Sequence, residues 1–275
     1  MNKATCDLCP RYCKLAPQQI GFCGSRMNVD GKINSLSYGK ITSIALDPIE
    51  KKPLSYYKPG TRILSVGSFG CNMACAFCQN YEIARAKYDT YNLSYLSPED
   101  LVNVAVKEKI RGNIGLAFTY NEPLIIFEYL LDSALLAKEA GLDMVLVTNG
   151  QINDKYLDQL LPYINAWNID LKVFSKEKYR ALGGDFQTTL NTIEKASKNS
   201  HVEVTTLVVP GISDDLEAFE KEVEFLASIS KDIPLHLTRY FPRYKYHEEA
   251  TQLDLLYRME DLASKKLNRV ILGNI

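Results

Sequence analysis

From Arg62 to the carboxyl end, short apolar runs alternate with helical patterns, and no other feature narrows the fold as much. The runs lie at 63–66, 114–118, 143–148, 166–170, 202–209, 235–238 and 269–272. They read as buried strands. Amphipathic helices are expected between them, at 98–109, 124–140, 154–161, 185–198, 215–229 and 248–265. Ser97 suits an N-cap, with Pro98 at the first helical position and Asp100 in the first turn. Gly141 suits the stop of the second helix. Strict alternation of this kind gives a parallel sheet joined by right-handed crossovers. The expected fold class is α/β, a partial (β/α)6 TIM-type barrel with parallel strands. A doubly wound sheet is the alternative.

The chain is long enough for one large domain with a buried core and a small appendage. Residues 1–60 are expected to form a small cysteine-rich, metal-binding N-terminal extension, and residues 61–275 the barrel. Within the extension, 32–38 and 41–46 read as a hairpin around Gly39-Lys40, and 47–60 is punctuated by prolines.

The loop after the first strand carries Cys71, Cys75 and Cys78, spaced C-x3-C-x2-C, and no cysteine follows Cys78. A cubane iron–sulfur cluster normally takes four thiolates, so three would leave one iron open to a small molecule. A zinc loop would want paired C-x2-C units, or histidines at fixed offsets, and neither follows Cys78. A second set, Cys6, Cys9, Cys13 and Cys23, reads as a closed four-thiolate site. Zinc and a second iron–sulfur cluster both remain open for it, because soft thiolates alone do not choose between them.

In a parallel α/β fold, ligands lie at the carboxyl ends of the strands. There this chain carries Thr119-Tyr-Asn-Glu-Pro123, Thr148-Asn-Gly150, Asn168-Ile-Asp-Leu-Lys172 and Val208-Val-Pro-Gly-Ile-Ser-Asp214. The sixth strand carries His236 and Arg239 and runs into Tyr240-Phe-Pro-Arg-Tyr-Lys245. Each has an ordinary explanation. Asn149-Gly150 is a turn signal. Asp170 and Lys172 share a strand face and could simply pair. A lone histidine in an apolar strand is more often a satisfied core group than a catalyst, and Glu122 could be a first-turn helix residue. Their joint occurrence after successive strands is harder to explain as scaffold.

Formal net charge is −1, so nothing global argues for nucleic acid or an anionic membrane as a partner. No apolar signal core or membrane-length stretch is visible. Clustered cysteines in such a chain read as metal ligands in a reducing cytoplasm rather than as disulfides.

Taken together, the motifs resemble the radical S-adenosylmethionine (SAM) proteins of the AmmeMemoRadiSam type, which are related to the pyruvate formate-lyase activating enzymes. The shared stretches are Cys6-Asp-Leu-Cys-Pro-Arg-Tyr-Cys13 with Gly21-Phe-Cys23, Asp47-Pro-Ile-Glu-Lys-Lys-Pro-Leu54, Gly70-Cys-Asn-Met-Ala-Cys-Ala-Phe-Cys-Gln-Asn80 and Thr119-Tyr-Asn-Glu-Pro123. Asp170-Leu-Lys172, Pro234-Leu-His-Leu-Thr-Arg239 and Gly273-Asn274 complete the set. Members often continue past this last pair with a further cysteine-containing segment, whereas the present sequence stops at Ile275.

The resemblance implies a 4Fe–4S cluster on Cys71, Cys75 and Cys78, with Phe77 as the aromatic before the third cysteine. It implies that S-adenosylmethionine chelates the open iron. Asn121 and Glu122 would lie in the motif that receives the SAM amino group, with Glu122 the acceptor. Thr148 and Asn149 would serve the ribose and carboxylate, and Val208 and Val209 the adenine. Asp170 and Lys172 would stand beside SAM and a monovalent cation, with His236 as a further SAM contact. The implied activity is reductive cleavage of SAM and hydrogen abstraction from a partner protein, a peptide or a small molecule. The implied reductant is of the flavodoxin or ferredoxin kind. Tyr240, Phe241, Arg243, Tyr244 and Lys245 would line the substrate entrance. A noncatalytic iron–sulfur carrier is the competing reading, and such a carrier has no use for Glu122 or the Asn149 turn.

Overall fold

A computed structural model describes residues 2–90 and 93–275. The N-terminal strands are β1 (Ala4–Cys6), β2 (Cys13–Leu15), β3 (Arg26–Val29), β4 (Lys32–Ser35), β5 (Lys40–Ile41) and β6 (Ser43–Pro48). Next come β7 (Arg62–Gly67), β8 (Ser94–Tyr95), β9 (Asn113–Phe118), β10 (Asp143–Thr148) and β11 (Ala166–Asp170). The last are β12 (His201–Val208), β13 (Leu235–Arg239) and β14 (Val270–Gly273). The helices are α1 (Tyr81–Ala84), α2 (Pro98–Lys107), α3 (Phe127–Glu139), α4 (Asp154–Leu160), α5 (Lys176–Ala181), α6 (Phe186–Ser197), α7 (Leu216–Ile229) and α8 (Leu253–Ser264). None of the described helices is long and apolar enough to cross a membrane.

The main sheet has eight strands in the order β14-β13-β12-β11-β10-β9-β7-β6. All but β6 run parallel. Each parallel strand lies beside its predecessor, always advancing in one direction. A doubly wound sheet reverses its order and places helices on both faces. Without a reversal, every right-handed crossover falls on one face, and the sheet curls with its helices outside. β7, β9, β10, β11, β12 and β13 are each followed by a helix, giving six units and a final strand, as expected for the partial barrel. The sheet stays open between β6 and β14.

Strand periodicity sorts the core in two. Leu116, Leu146 and Trp167 face the helices, against Leu130, Leu160 and others. Ala117, Val145 and Ala166 face inward, onto Ile49, Leu54 and Ile63. The strand expectations hold to within a residue at nearly every end. Asn113 extends β9, because its Oδ1 accepts the Leu64 N–H at 2.8 Å in place of a ladder carbonyl.

Three local expectations change. The hairpin expected around Gly39-Lys40 does not form. β3 pairs with β4 instead, through Asp30-Gly31, whose φ values of 53° and 87° suit the two-residue turn that matches strand twist. β5 pairs with β8, and β6 pairs antiparallel with β7, so the main sheet reaches back before residue 61. The helix expected from residue 124 starts at Phe127, after a 3-10 turn over Pro123–Ile126 whose cap is the Glu122 side chain. The helix expected from 248 starts at Leu253. Thr251 is tied down first, its Oγ1 donating to Val208 O at 2.5 Å and accepting from Tyr240 N–H at 2.9 Å.

At the amino ends of the strands, the segment after β6 crosses the barrel floor on one buried carboxylate. Glu203 accepts the Ser55 and Tyr56 N–H groups at 3.0 and 2.8 Å and meets His201 and His236 at 2.9 and 2.6 Å. Asn168 Nδ2 donates to Pro53 O at 2.8 Å. Burial alone would raise the Glu203 carboxyl, but the bonds from His201, His236 and Tyr56 outweigh it and hold the pKa at about 2, against an ordinary 4.5. A depressed carboxyl stabilises the fold above its unfolded pKa and loses that contribution as pH falls toward the folded one. Denaturant melts should therefore show stability declining by on the order of 2–3 kcal/mol between pH 4.5 and 2 from this group. Glu203→Gln should be less stable at neutral pH and lose that part of the acid decline. Parallel acid declines in both proteins would overturn the assignment.

Candidate active site

The Cys71–Cys78 loop leaves β7 at the carboxyl end of the sheet and has little regular structure of its own, so its backbone groups find partners elsewhere. The Ser68 N–H donates to Asn121 Oδ1 at 2.9 Å, and Asn121 Nδ2 donates to Gly70 O at 3.2 Å. The Cys71 N–H donates to Cys23 O at 3.2 Å, Ala74 N–H to Leu182 O at 2.8 Å and Lys245 N–H to Ala76 O at 2.9 Å. Thus the N-terminal extension, the end of β9, the end of α5 and the segment after β13 all grip one loop. Gly70 sits at φ 90°, and a Cβ there would collide with Cys23 O.

The three thiols are free and partly buried. Burial pushes the Cys71 thiol well above its ordinary value, and the Glu122 charge adds to the rise. Burial also raises Cys75, while Lys172 works against it. Thiolates here therefore call for a cation. Among the described residues, no three His, Cys, Asp or Glu side chains stand at the spacing for one metal ion. The donor set nonetheless suits an iron–sulfur cluster: three cysteines on one loop, with N–H donors aimed at sulfur. The Met73 N–H lies 3.4 Å from Cys71 Sγ and Asn149 Nδ2 lies 3.7 Å from it.

Glu122, Thr148 and Asn149 form one network beside this loop. Glu122 is 3% exposed. Its Oε1 accepts from Leu124 N–H at 2.9 Å and Thr148 Oγ1 at 2.6 Å, and its Oε2 from Asn149 N–H at 2.8 Å. Burial pushes the carboxyl up to about 7, even against these bonds. A carboxylate has roughly four acceptor positions, so one on Oε2 is left over. Asn149 Nδ2 also donates to Asn72 Oδ1 at 2.9 Å, joining the end of β10 to the loop.

Contacts tie the other residues predicted around SAM to the loop, directly or through one neighbour, with one exception. Lys172 Nζ is 2.6 Å from Asp170 Oδ2. Burial would lower Lys172, but the charges of Asp170 and Cys75 prevail and raise it, which places the pair beside the loop. Phe77 is buried edge-on to Tyr246 at 6.4 Å, and Tyr246 Oη donates to Pro210 O at 2.6 Å, next to buried Val209. Val209 itself donates its N–H to Ser213 Oγ at 2.8 Å. His236 is the exception. As the second residue of β13, it rests on Glu203 near the barrel floor. Tyr240 is buried, whereas Phe241 is exposed and Tyr244 stacks on Tyr81 at 4.6 Å. Cys6, Cys9, Cys13 and Cys23 line one small cavity of their own, together with Asn72 of the loop.

Two groups escaped the sequence reading. Asp47 accepts from Lys52 Nζ, Ser65 Oγ and Tyr120 Oη, each at 2.9 Å, inside the barrel. Arg11 donates through Nε to Asn72 O and through Nη2 to Gly183 O, both at 2.6 Å. Both residues belong to the motifs quoted above, but nothing in their spacing tells where the side chains reach.

A sequence profile described as the Radical SAM superfamily matches residues 65–226. Uncharacterized protein MJ0808 of Methanocaldococcus jannaschii is 34% identical over 100% of this chain and 82% of its own length. The pyruvate formate-lyase 1-activating enzyme of Escherichia coli is 28% identical over 66% of this chain and 75% of its own. Among solved structures, Streptococcus suis SuiB bound to S-adenosylmethionine superposes with a TM-score of 0.57 at 14% identity, over 74% of this chain and 48% of that one. A domain of pyruvate-formate lyase-activating enzyme from Bacteroides vulgatus gives 0.51 at 17% identity, over 58% and 99%. At such identities the two structures speak for the fold.

The loop's dependence on Asn121 is directly testable. Asn121→Ala removes two partly buried hydrogen bonds to the loop and should lower stability by about 1–2 kcal/mol, read by thermal or denaturant melts. Iron retained after anaerobic reconstitution should fall severalfold. Unchanged iron and stability would show that the loop stands without this brace.

Proposed function

The chain belongs to the radical SAM superfamily, and from that premise we propose that it cleaves S-adenosylmethionine reductively and abstracts hydrogen from a substrate not yet identified. The observation that carries this reading is the meeting of Cys71, Glu122, Thr148 and Asn149, drawn from one loop and two strand ends into one hydrogen-bonded network. When bound on such a loop, a 4Fe–4S cluster supplies the electron that divides SAM into methionine and a 5′-deoxyadenosyl radical.

In this reading Cys71, Cys75 and Cys78 hold three irons. Glu122 offers its remaining Oε2 position to the SAM amino group, after fixing Thr148 and Asn149 in place. Lys172 and Asp170 hold compensating charge next to Cys75, with a monovalent cation as a further tenant of that side. Val209 and Phe77 present apolar surface that excludes water. No side-chain general base is called for. His236, bound to Glu203, supports the barrel from below and is not assigned a SAM contact. Activation of a partner protein is the first substrate class, by likeness to the activating enzymes, and modification of a peptide or small molecule the second. A low-potential one-electron donor of the flavodoxin or ferredoxin kind and a cytoplasmic setting complete the reading. The four N-terminal cysteines form a second metal site.

Anaerobic incubation of reconstituted protein with SAM and dithionite should give 5′-deoxyadenosine and methionine, read by chromatography. Their absence would return the chain to the carrier reading. Cys75→Ala should abolish the iron–sulfur absorbance. Glu122→Gln should keep the iron yet weaken SAM binding about tenfold or more, since hydrogen bonds to charged groups contribute about 1.5–3 kcal/mol.

A further inference from the structure

The Cys71 loop has two sides. On one, the Gly70 carbonyl accepts from Asn121 Nδ2 at 3.2 Å and from the Glu122 N–H at 3.4 Å, which is the side of the residues assigned to SAM. On the other, the Gly70 N–H donates to Ile83 O at 2.9 Å and the Cys71 N–H to Cys23 O at 3.2 Å. Ile83 belongs to α1 and Cys23 to the N-terminal extension. A surface cavity of about 420 Å³ lies between these two segments, lined by residues 20–24 and 84–87. Among the described residues, none that lines it hydrogen-bonds to Glu122, Thr148, Asn149 or Lys172.

The cavity carries an aromatic ring held between cations. Phe22 is 45% exposed. The Arg11 guanidinium lies 3.4 Å from the centre of its ring, and that of Arg85 lies 5.6 Å from it. Aromatic and arginine side chains are the commonest anchors of protein contacts.

Charge narrows the partner. Residues 1–29 hold Lys3, Arg11, Lys14 and Arg26 against one carboxylate, Asp7, in a chain of net charge −1. Asp7 is already paired with Lys155, and Arg26 with Glu128. Among the described residues, neither Arg85 nor Lys87 of the cavity wall is paired with a carboxylate. A protein that docks here meets positive charge, so its own surface must be acidic.

Position narrows it further. A substrate cannot use this side, because the radical forms where SAM binds, on the side of Glu122. An electron can, since it needs a short bonded route to the loop and no contact with SAM. From the cavity wall that route is a single hydrogen bond, from Cys71 N–H to Cys23 O.

We propose that the cleft between residues 20–24 and 84–87 is the docking site of an acidic one-electron carrier protein, with Phe22 as anchor and Arg85 and Lys87 as charged rim. The inference rests on the radical SAM reading and names the surface through which its electron arrives. In each encounter the carrier gives up one electron to the iron–sulfur group held by Cys71, Cys75 and Cys78, with no bond made or broken. The contact is expected to be small and short-lived, as redox encounters are.

Reduction should be followed anaerobically as bleaching of the iron–sulfur absorbance in full-length reconstituted protein without SAM, so that a failure to cleave SAM leaves the readout intact. The probes are a reduced acidic flavodoxin, a reduced acidic ferredoxin and dithionite. At least one of the two carriers should reduce the wild type, at a rate that falls severalfold from low to physiological salt. Arg85→Glu combined with Lys87→Glu should slow that reduction about tenfold or more, with dithionite still acting at close to the wild-type rate. Where this double reversal lowers the iron content, Arg85→Gln and Lys87→Gln, tested singly, should each slow the carrier severalfold and spare dithionite. Reduction of the reversed variant at the wild-type rate, equal slowing with carrier and dithionite, or failure of both carriers on the wild type would overturn the proposal. Absence of any iron–sulfur group from the wild type would instead remove the radical SAM reading, and the proposal with it.

Discussion

Removing a carboxylate from water is costly unless donors replace the water, and the arrangement at the barrel mouth depends on how Glu122 meets that cost. Its donors are the Leu124 and Asn149 N–H groups and the Thr148 hydroxyl. Those bonds start the turn before α3 and pin the end of β10 to the end of β9. Asn149, once pinned, reaches Asn72 and Cys71. Glu122 is thus linked to the sulfur of the first loop cysteine through the single residue Asn149.

The loop itself is a borrowed structure. A parallel strand ends at Gly67, and the chain must travel to Asn80 before α1 begins. Over that distance its hydrogen bonds come from four directions, and the sheet supplies the fixed base from which each arm reaches. Such a loop can hold Cys71 and Cys75 in a burial that opposes their ionisation, because the cost is shared across rigid neighbours. Gly70 marks the tightest point, where the chain passes against Cys23 O at a φ that a side chain would strain.

Much of this was legible from residue order. The strands announced themselves because parallel strands covered on both faces are apolar throughout, and the thiols and polar strand ends followed from the rule that ligands gather at carboxyl ends. What residue order could not convey was depth and partnership. His236 and Thr148 both look like polar residues on apolar strands, yet one is second in its strand and the other last, and that difference separates floor from mouth. The choice between barrel and doubly wound sheet rested on neighbour order, which alternation leaves free. The hairpin was misplaced because Gly39-Lys40 competed with Asp30-Gly31, and only the latter places two residues at positive φ in succession. Arg11 and Asp47 act through contacts with residues far along the chain, so their local spacing carries no signal of them.

Two buried carboxylates then show how one barrel keeps support and chemistry apart. Glu203, at the floor, has two backbone N–H groups and two imidazoles around it and is held down at about 2. Its acceptor positions are spent, so it stays charged and fixed, and the crossing segment after β6 stays with it. Glu122, at the mouth, has three donors, none of them a formal cation, and is pushed up to about 7. Its charge is only partly compensated and one position on Oε2 is free. An incoming cationic group would therefore gain more at Glu122 than at Glu203, because it completes a shell that the protein leaves short. The same residue type serves as scaffold where the chain oversupplies donors and as a binding group where it withholds one.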